Sequence, residues 1–383
     1  MKILSVFGTR PEAIKLAPVV RELQCTHSVQ HVTCVTGQHR EMLDQVVQLF
    51  ELRPEYDLNI MRPGQSLDYI TQAVLGGVGN VIEREKPDWL LVQGDTTTAF
   101  AAALAAFYAK VRVGHVEAGL RTQNRLSPWP EEANRRLIST LADLHFAPTE
   151  QAARNLHLEL VPANSIRVTG NTVIDALQWT AQRVEGDMAL EAVLRERAPA
   201  LLGDLRPLIL VTLHRRENQG ERLRNVCAGL RKVAARGDVC MAFPVHMNPA
   251  VREVVAAELG DTASVYLLPP LDYLPFVTLL KRSRFVVTDS GGIQEEAPGL
   301  GKPVLVARDT TERPEALASG TALLVGTAGE TIELECNRLL DDAGHFGRMA
   351  NAINPFGDGQ AAKRIVEHLL NEPTPTSLCR SPS

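Results

Sequence analysis

Lys2-Ile3-Leu4-Ser5-Val6-Phe7 runs directly into Gly8-Thr9-Arg10-Pro11-Glu12-Ala13-Ile14-Lys15, and the same grammar returns at Leu208-Ile209-Leu210-Val211-Thr212-Leu213 before His214-Arg215-Arg216-Glu217-Asn218. Each apolar run is nearly continuous rather than alternating. Such a strand is buried on both faces, as in a parallel sheet covered by helices. A helical stretch follows each loop, near Ile14–Leu23 and near Leu223–Val233. Further strands are expected at His31–Thr36, Trp89–Gln93, Val111–Val116, Leu144–Ala147 and Ile166–Thr169 in the first half. In the second they fall at Val239–Pro244, Ser264–Leu268, Phe285–Thr288, Pro303–Ala307 and Ala322–Val325. Alternating strand and helix signals mean α/β architecture.

Six strands per half predict two similar, doubly wound domains with ligands beyond the carboxyl ends of their strands, across one interdomain cleft. The expected N-terminal domain is 1–170, joined by a C-terminal helix at 358–371. The expected C-terminal domain is 171–357, and the Pro- and Ser-rich tail 372–383 reads as disordered. The length of 383 residues fits two domains.

Composition narrows the function. A hydrophobic fraction of 45% with 22% charged residues is that of a globular chain. A net charge of −5 argues against a nucleic-acid partner. The longest unbroken apolar run, Ala99 to Ala109, has 11 residues, short of the roughly 20 needed to span a membrane. No signal-peptide pattern opens the chain, because Thr9-Arg10-Pro11-Glu12 interrupts the first apolar run. Six cysteines, none in a Cys-x-x-Cys pair, read as reduced thiols of a cytoplasmic protein.

Four segments could carry chemistry. Pro11 suits the first turn of a helix, which aims Arg10 and the helix N-terminus at an anion, with Lys15 one turn on; an ordinary strand–helix turn reads equally well. Thr288-Asp289-Ser290-Gly291-Gly292-Ile293-Gln294-Glu295-Glu296 ends a buried strand at a turn of small residues. Ser290 could cap the helix there, free N–H groups could hold a diphosphate, and Glu296 could accept sugar hydroxyls. Asp95, Glu117 and Glu131 form a set of acids suited to proton transfer, although Asp95 could instead cap a helix starting at Thr96–Thr98. His214 with Arg215 and Arg216 could receive a departing diphosphate. There is no G-x-G-x-x-G after a strand, no G-x-x-x-x-G-K-[ST] and no H-E-x-x-H, so neither a dinucleotide cofactor nor a metal is expected.

Taken together, GTRPEAIKLAP, GQHREMLDQV, GDTTT, HVEAGLRT, SPWPEEANRR, HRREN, PVHMNP, DYLPF, DSGGIQEEAPGLGKPV and RDTTERPEA resemble the non-hydrolysing UDP-N-acetylglucosamine 2-epimerases of bacteria, from about residue 2 to the helix after Gly359. The resemblance implies a fold of the glycosyltransferase-B type, two Rossmann-like doubly wound domains facing a deep cleft, and a homodimer. It also implies interconversion of UDP-N-acetylglucosamine and UDP-N-acetylmannosamine without a cofactor, feeding surface polysaccharides. Carried onto this chain, Asp95, Glu117 and Glu131 match the acid–base carboxylates, and His214 the histidine near the diphosphate. Arg10, Lys15 and Arg313 match basic ligand positions, Ser290, Gly291 and Gly292 the diphosphate turn, and Glu296 the ribose acid. Phe276 matches the uracil-side aromatic. Leu271 stands where some relatives have Gln, so a nucleobase contact there falls to its backbone. Gln38, Glu41, Arg215 and His246 match parts of an allosteric UDP-N-acetylglucosamine site found in some relatives, whose Arg is Gly64 here. A hydrolysing 2-epimerase and a glycosyltransferase of the same architecture are the competing readings.

Overall fold

Thr9 and Glu12 set the first strand–helix junction. The Glu12 carboxylate accepts the N–H of Gly8 at 3.0 Å and of Thr9 at 2.8 Å, satisfying donors at the start of the helix Arg10–Cys25. That helix lays Ala13, Leu16, Ala17, Val20 and Leu23 into the core. The computed structural model describes residues 1–38, 40–184 and 188–373, without the side chains of Glu41 and Met42. The expected disordered tail lies, from residue 374 on, outside the described residues.

The strands are β1 (Lys2–Phe7), β2 (Gln30–Val35), β3 (Tyr56–Asp57), β4 (Trp89–Gln93), β5 (Arg112–Val116), β6 (Leu144–Ala147), β7 (Ile166–Val168), β8 (Leu208–Thr212), β9 (Cys240–Pro244), β10 (Val265–Leu268), β11 (Phe285–Thr288), β12 (Val304–Val306) and β13 (Ala322–Leu324). They form two sheets, ordered β3-β2-β1-β4-β5-β6-β7 and β10-β9-β8-β11-β12-β13, in which every pairing is parallel. Both sheets are doubly wound, and each reverses direction where its first and fourth strands meet. That reversal opens a crevice at the carboxyl ends, where such sheets bind ligands.

The first half has seven strands rather than six. The extra one, β3, has two residues and is held by its register with β2, Cys34 to Tyr56 and Val35 to Asp57. No apolar run announces it.

The chain divides into one unit of Met1–Ala176 with Phe356–Ser383 and a second of Leu177–Pro355. The division falls inside the helix Thr172–Arg183 rather than at Gly170–Asn171. The start of that segment is tied to the returning chain: Asn171 N donates to Phe356 O at 2.6 Å, and Ala362 N donates to the Asp175 carboxylate at 2.8 Å.

In the first unit the alanine-rich helix Thr97–Tyr108 buries Ala99, Ala101, Ala102, Ala103 and Ala106 completely. They share a core with Leu4, Val6, Leu90 and Val92 of β1 and β4. Small side chains let the helix lie close to the strand ends. The second unit has its own core, built from Ile209, Val211, Phe243, Phe285 and Val287 with Leu223, Val226 and Leu230 of the helix Glu221–Ala234. The five described cysteines are free, all but Cys25 being buried. Among the described residues no helix is long and apolar enough to cross a membrane.

Candidate active site

In the first unit the loops after β1, β4 and β5 surround a cavity of about 450 Å³. Its wall includes Arg10, Glu12 and Lys15 from the first loop and helix, Gln93 at the end of β4 with Gly94 to Thr97 after it, Glu117 after β5, and Glu131 with Asn134 from the helix Glu131–Leu141. Gln38 and Leu67 complete it on the β2 side. The three acids singled out above therefore line one space, together with both basic residues of the first motif.

Each acid is held differently. Glu117 is buried. It pairs with Lys15 Nζ, and accepts a hydrogen bond from Gln93 Nε2 and another from Asn171 Nδ2 at 2.9 Å. Asp95 accepts from Arg135 Nη2, while Asn134 Nδ2 donates to its backbone oxygen at 2.9 Å. The cap of the helix Thr97–Tyr108 is Thr96, whose hydroxyl accepts Ala99 N at 3.0 Å, and not Asp95. Asp95 is thereby left to face the cavity. Glu131 opens its helix, and its side chain makes no hydrogen bond or ion pair among the described residues. A carboxylate at a helix start also interacts favourably with the helix dipole.

Two buried groups brace these loops. Glu12 accepts from Thr96 Oγ1 as well as from Gly8 and Thr9, so it ties the β1 loop to the β4 loop across the sheet reversal. Its burial pushes its pKa above the ordinary carboxylate value. His115 on β5 is completely buried and its Nε2 donates to Gly94 O at 2.7 Å. Burial pushes its pKa down to about 3, so it is neutral. The Thr9-x-x-Glu12 spacing signals the first of these braces. Nothing local signals the second.

The second unit gathers its charged residues at the ends of β8, β11 and β12. Asp289 is fully buried and accepts the backbone N–H of His214 at 3.0 Å and of Arg215 at 2.9 Å, and Asn218 Nδ2 at 3.0 Å. It is the anchor of the HRREN loop, and no local pattern in the sequence marks it out. His214 Nδ1 lies 3.4 Å from Asp289 Oδ1, and its ring stacks on His246 with centroids 5.7 Å apart. Burial lowers the His214 pKa, opposed by Asp289.

Ser290 precedes the helix Gly291–Glu296 but its side chain makes no cap bond; its N–H instead donates to Thr288 Oγ1 at 3.0 Å. A Cβ on Gly292 would have no atom nearer than 4.0 Å, so this turn is open on that side. Glu312 takes Arg215 at 2.7 Å and also binds Arg308, and Arg313 pairs with Glu295. Leu271 and Phe276 follow β10, Phe276 half-buried on the helix Tyr273–Arg282. Of the residues matched to an allosteric site, Gln38 accepts from Thr98 Oγ1 at 2.8 Å in the first unit, while Arg215 and His246 stand in the second. The Glu41 side chain lies outside the described residues.

Comparison with known proteins gives this geometry a family. The UDP-N-acetylglucosamine 2-epimerase family model matches residues 21–370. The chain is 54% identical to the UDP-N-acetylglucosamine 2-epimerase of Yersinia pestis over 372 residues, 97% of this chain and 99% of that protein. It is 52% identical to the enzyme of that name from Escherichia coli (strain K12) over 372 residues, again 97% and 99% of the two chains. Among solved structures it is similar to the UDP-GlcNAc 2-epimerase from Neisseria meningitidis bound to UDP-GlcNAc. The TM-score there is 0.85 at 50% identity, covering 97% of this chain and all of that one. With two parallel doubly wound sheets, an acid-lined cavity at the reversal of the first and a match along nearly the whole length, the chain belongs to the UDP-N-acetylglucosamine 2-epimerase family.

Proposed function

We propose that the protein interconverts UDP-N-acetylglucosamine and UDP-N-acetylmannosamine without net hydrolysis, by eliminating UDP and adding it back. The observation that carries this reading is the convergence of Asp95, Glu117 and Glu131 on one cavity with Arg10 and Lys15. The similar Neisseria meningitidis enzyme was solved with UDP-GlcNAc bound, which supports the choice of substrate.

The proton on sugar carbon 2 has no adjacent carbonyl, so its removal alone would leave a poorly stabilised carbanion. Elimination avoids this. A carboxylate takes the proton from carbon 2, the C2–H electron pair becomes the C1–C2 double bond, and UDP departs with the electron pair of the broken C1–O bond, leaving a 2-acetamidoglucal. UDP then returns to carbon 1 while a proton arrives on the opposite face of carbon 2. Two faces require more than one acid–base group, and three carboxylates on one cavity meet that need. The diphosphate falls to Ser290, Gly291, Gly292 and Arg313, with His214 near the bond that breaks, Glu296 on the ribose and Leu271 with Phe276 on the base. Donors fixed before the reaction stabilise the departing charge without reorganising.

Incubation with UDP-N-acetylglucosamine in heavy water, with no acceptor, tests the reading. Both epimers should form, with deuterium at carbon 2 and little net free UDP. Accumulation of free N-acetylmannosamine and UDP would indicate the hydrolysing reaction instead, and turnover only with an added acceptor would indicate a glycosyltransferase. A homodimer drawing on the cytoplasmic sugar-nucleotide pool belongs to the same proposal, and light scattering tests the dimer. So does activation by UDP-N-acetylglucosamine, which a rate linear in UDP-N-acetylmannosamine and indifferent to added UDP-N-acetylglucosamine would reject.

A further inference from the structure

We infer that Arg135 is a positioning residue for Asp95, and that Glu132 is the strut that holds Arg135 in place. The inference rests on the acid–base reading of Asp95 given above.

The segment Glu131-Glu132-Ala133-Asn134-Arg135-Arg136 forms the first turns of the helix Glu131–Leu141. Residues three and four apart share a helix face. Glu131 and Asn134 line the cavity, and Arg135 lies on the same face. The next face carries Glu132 and Arg136. Asp95 is gripped from this one helix at two points: Asn134 Nδ2 donates to its backbone oxygen at 2.9 Å, and Arg135 Nη2 donates to Oδ2. The grip on Oδ2 leaves Oδ1 as the oxygen free to face a ligand.

Arg135 is itself fixed. Its Nη1 donates to Glu132 Oε2 at 3.2 Å, and its side chain is only 10% exposed. The Glu132 side chain is fully buried and takes two more bonds, from Thr122 N at 3.0 Å and from Arg136 Nε at 3.1 Å. One planar guanidinium thus spans two carboxylates, one buried and one at the cavity wall. A lysine could supply the charge but not the two-armed geometry. Because Glu131 starts the same helix, the device also sets the spacing between two of the three acids.

The test is a double-variant cycle on turnover: Arg135→Gln, Asp95→Asn and the pair together, with KM, UDP affinity by calorimetry and a thermal melt for each protein. Misplacing a reacting group by about 1 Å lowers turnover by about 100-fold. Arg135→Gln should therefore lower kcat by about that factor with UDP affinity unchanged, and Arg135→Lys should recover little of it. The pair should be no slower than Asp95→Asn alone, since residues acting as one unit are not additive. Full additivity, or wild-type kcat in Arg135→Gln, would overturn the inference. Should Arg135→Gln fold poorly, Glu132→Gln carries the same cycle, because it weakens the strut while leaving Arg135 and its Asp95 partner in place. The cycle is run on whichever product the wild-type protein forms. Free sugar from the wild type overturns the epimerase reading and leaves the Arg135 result to be judged on its own.

Discussion

Glu117 is a non-glycine residue at φ 65°, a left-handed conformation uncommon for side chains with a Cβ. Lys15, Gln93 and Asn171 constrain it, each bonding its carboxylate. Strain retained in a cavity wall points to function. Accordingly Glu117→Gln, Asp95→Asn and Glu131→Gln are each expected to lower kcat by about 100-fold or more, the scale of acid–base contributions. Near-normal turnover in all three would reject the site. Gly8, two residues before Arg10, makes a different prediction. A Cβ there would sit 2.1 Å from Thr36 Oγ1 and 2.7 Å from Thr98 Oγ1. Both threonines are completely buried and bonded to each other at 3.1 Å, so neither has room to retreat. Gly8→Ala should destabilise the protein by about 1–3 kcal/mol, the range for overpacking, read as a lower urea midpoint with unchanged slope.

At the scale of an element, β5 carries a titrating weak point inside the first sheet. His115 is neutral when folded, its pKa pushed down to about 3 by burial. The unfolded chain, with an ordinary value of about 6.5, takes up a proton well before the folded one does. Stability is therefore present above about pH 6.5 and lost as pH falls toward 3, at up to about 1.4 kcal/mol per unit for this one group. His115→Gln can still donate to Gly94 O and should flatten that dependence. Urea midpoints at pH 7 and pH 5 would measure it, and an unchanged slope would clear His115 of the role. The strand itself was legible beforehand, as were its eleven companions, because near-continuous β-branched runs admit few readings other than a covered parallel strand. The two-residue β3 was not, since pairing with β2 rather than its own composition creates it. Of the acids, Asp95, Glu117 and Glu131 stood out by their place after strands or beside a helix start. Asp289 lay inside a quoted motif without being singled out, because its partners, His214, Arg215 and Asn218, are more than 70 residues away. Arg135 was hidden in the same way, its Asp95 partner being 40 residues off. Long-range satisfaction of buried charge leaves no local pattern to read.

For the molecule as a whole, the two units repeat one strand order but differ in what their sheet reversals carry. The first presents carboxylates with Arg10 and Lys15. The second presents a glycine turn flanked by His214, Arg215 and Arg313. The proposed reaction asks for two separable things: a held diphosphate, and groups that move protons. If the first need falls to the second unit and the second to the first, binding and chemistry should come apart by mutation. Gly292→Val is the sharpest probe, because a Cβ added there meets only the Glu296 and Ser290 side-chain oxygens, each at 4.0 Å, and Gly292 is not at positive φ. Such a variant should fold normally and obstruct only what lies on the turn. Its UDP affinity should fall by about tenfold or more, equivalent to about 1.4 kcal/mol. Glu117→Gln, by contrast, should bind UDP as the wild type does while losing turnover. Calorimetric titration of both variants with UDP decides the matter: undiminished affinity in Gly292→Val would remove the diphosphate from that turn, whereas loss of UDP binding in Glu117→Gln would mean that the two functions are not divided between the units.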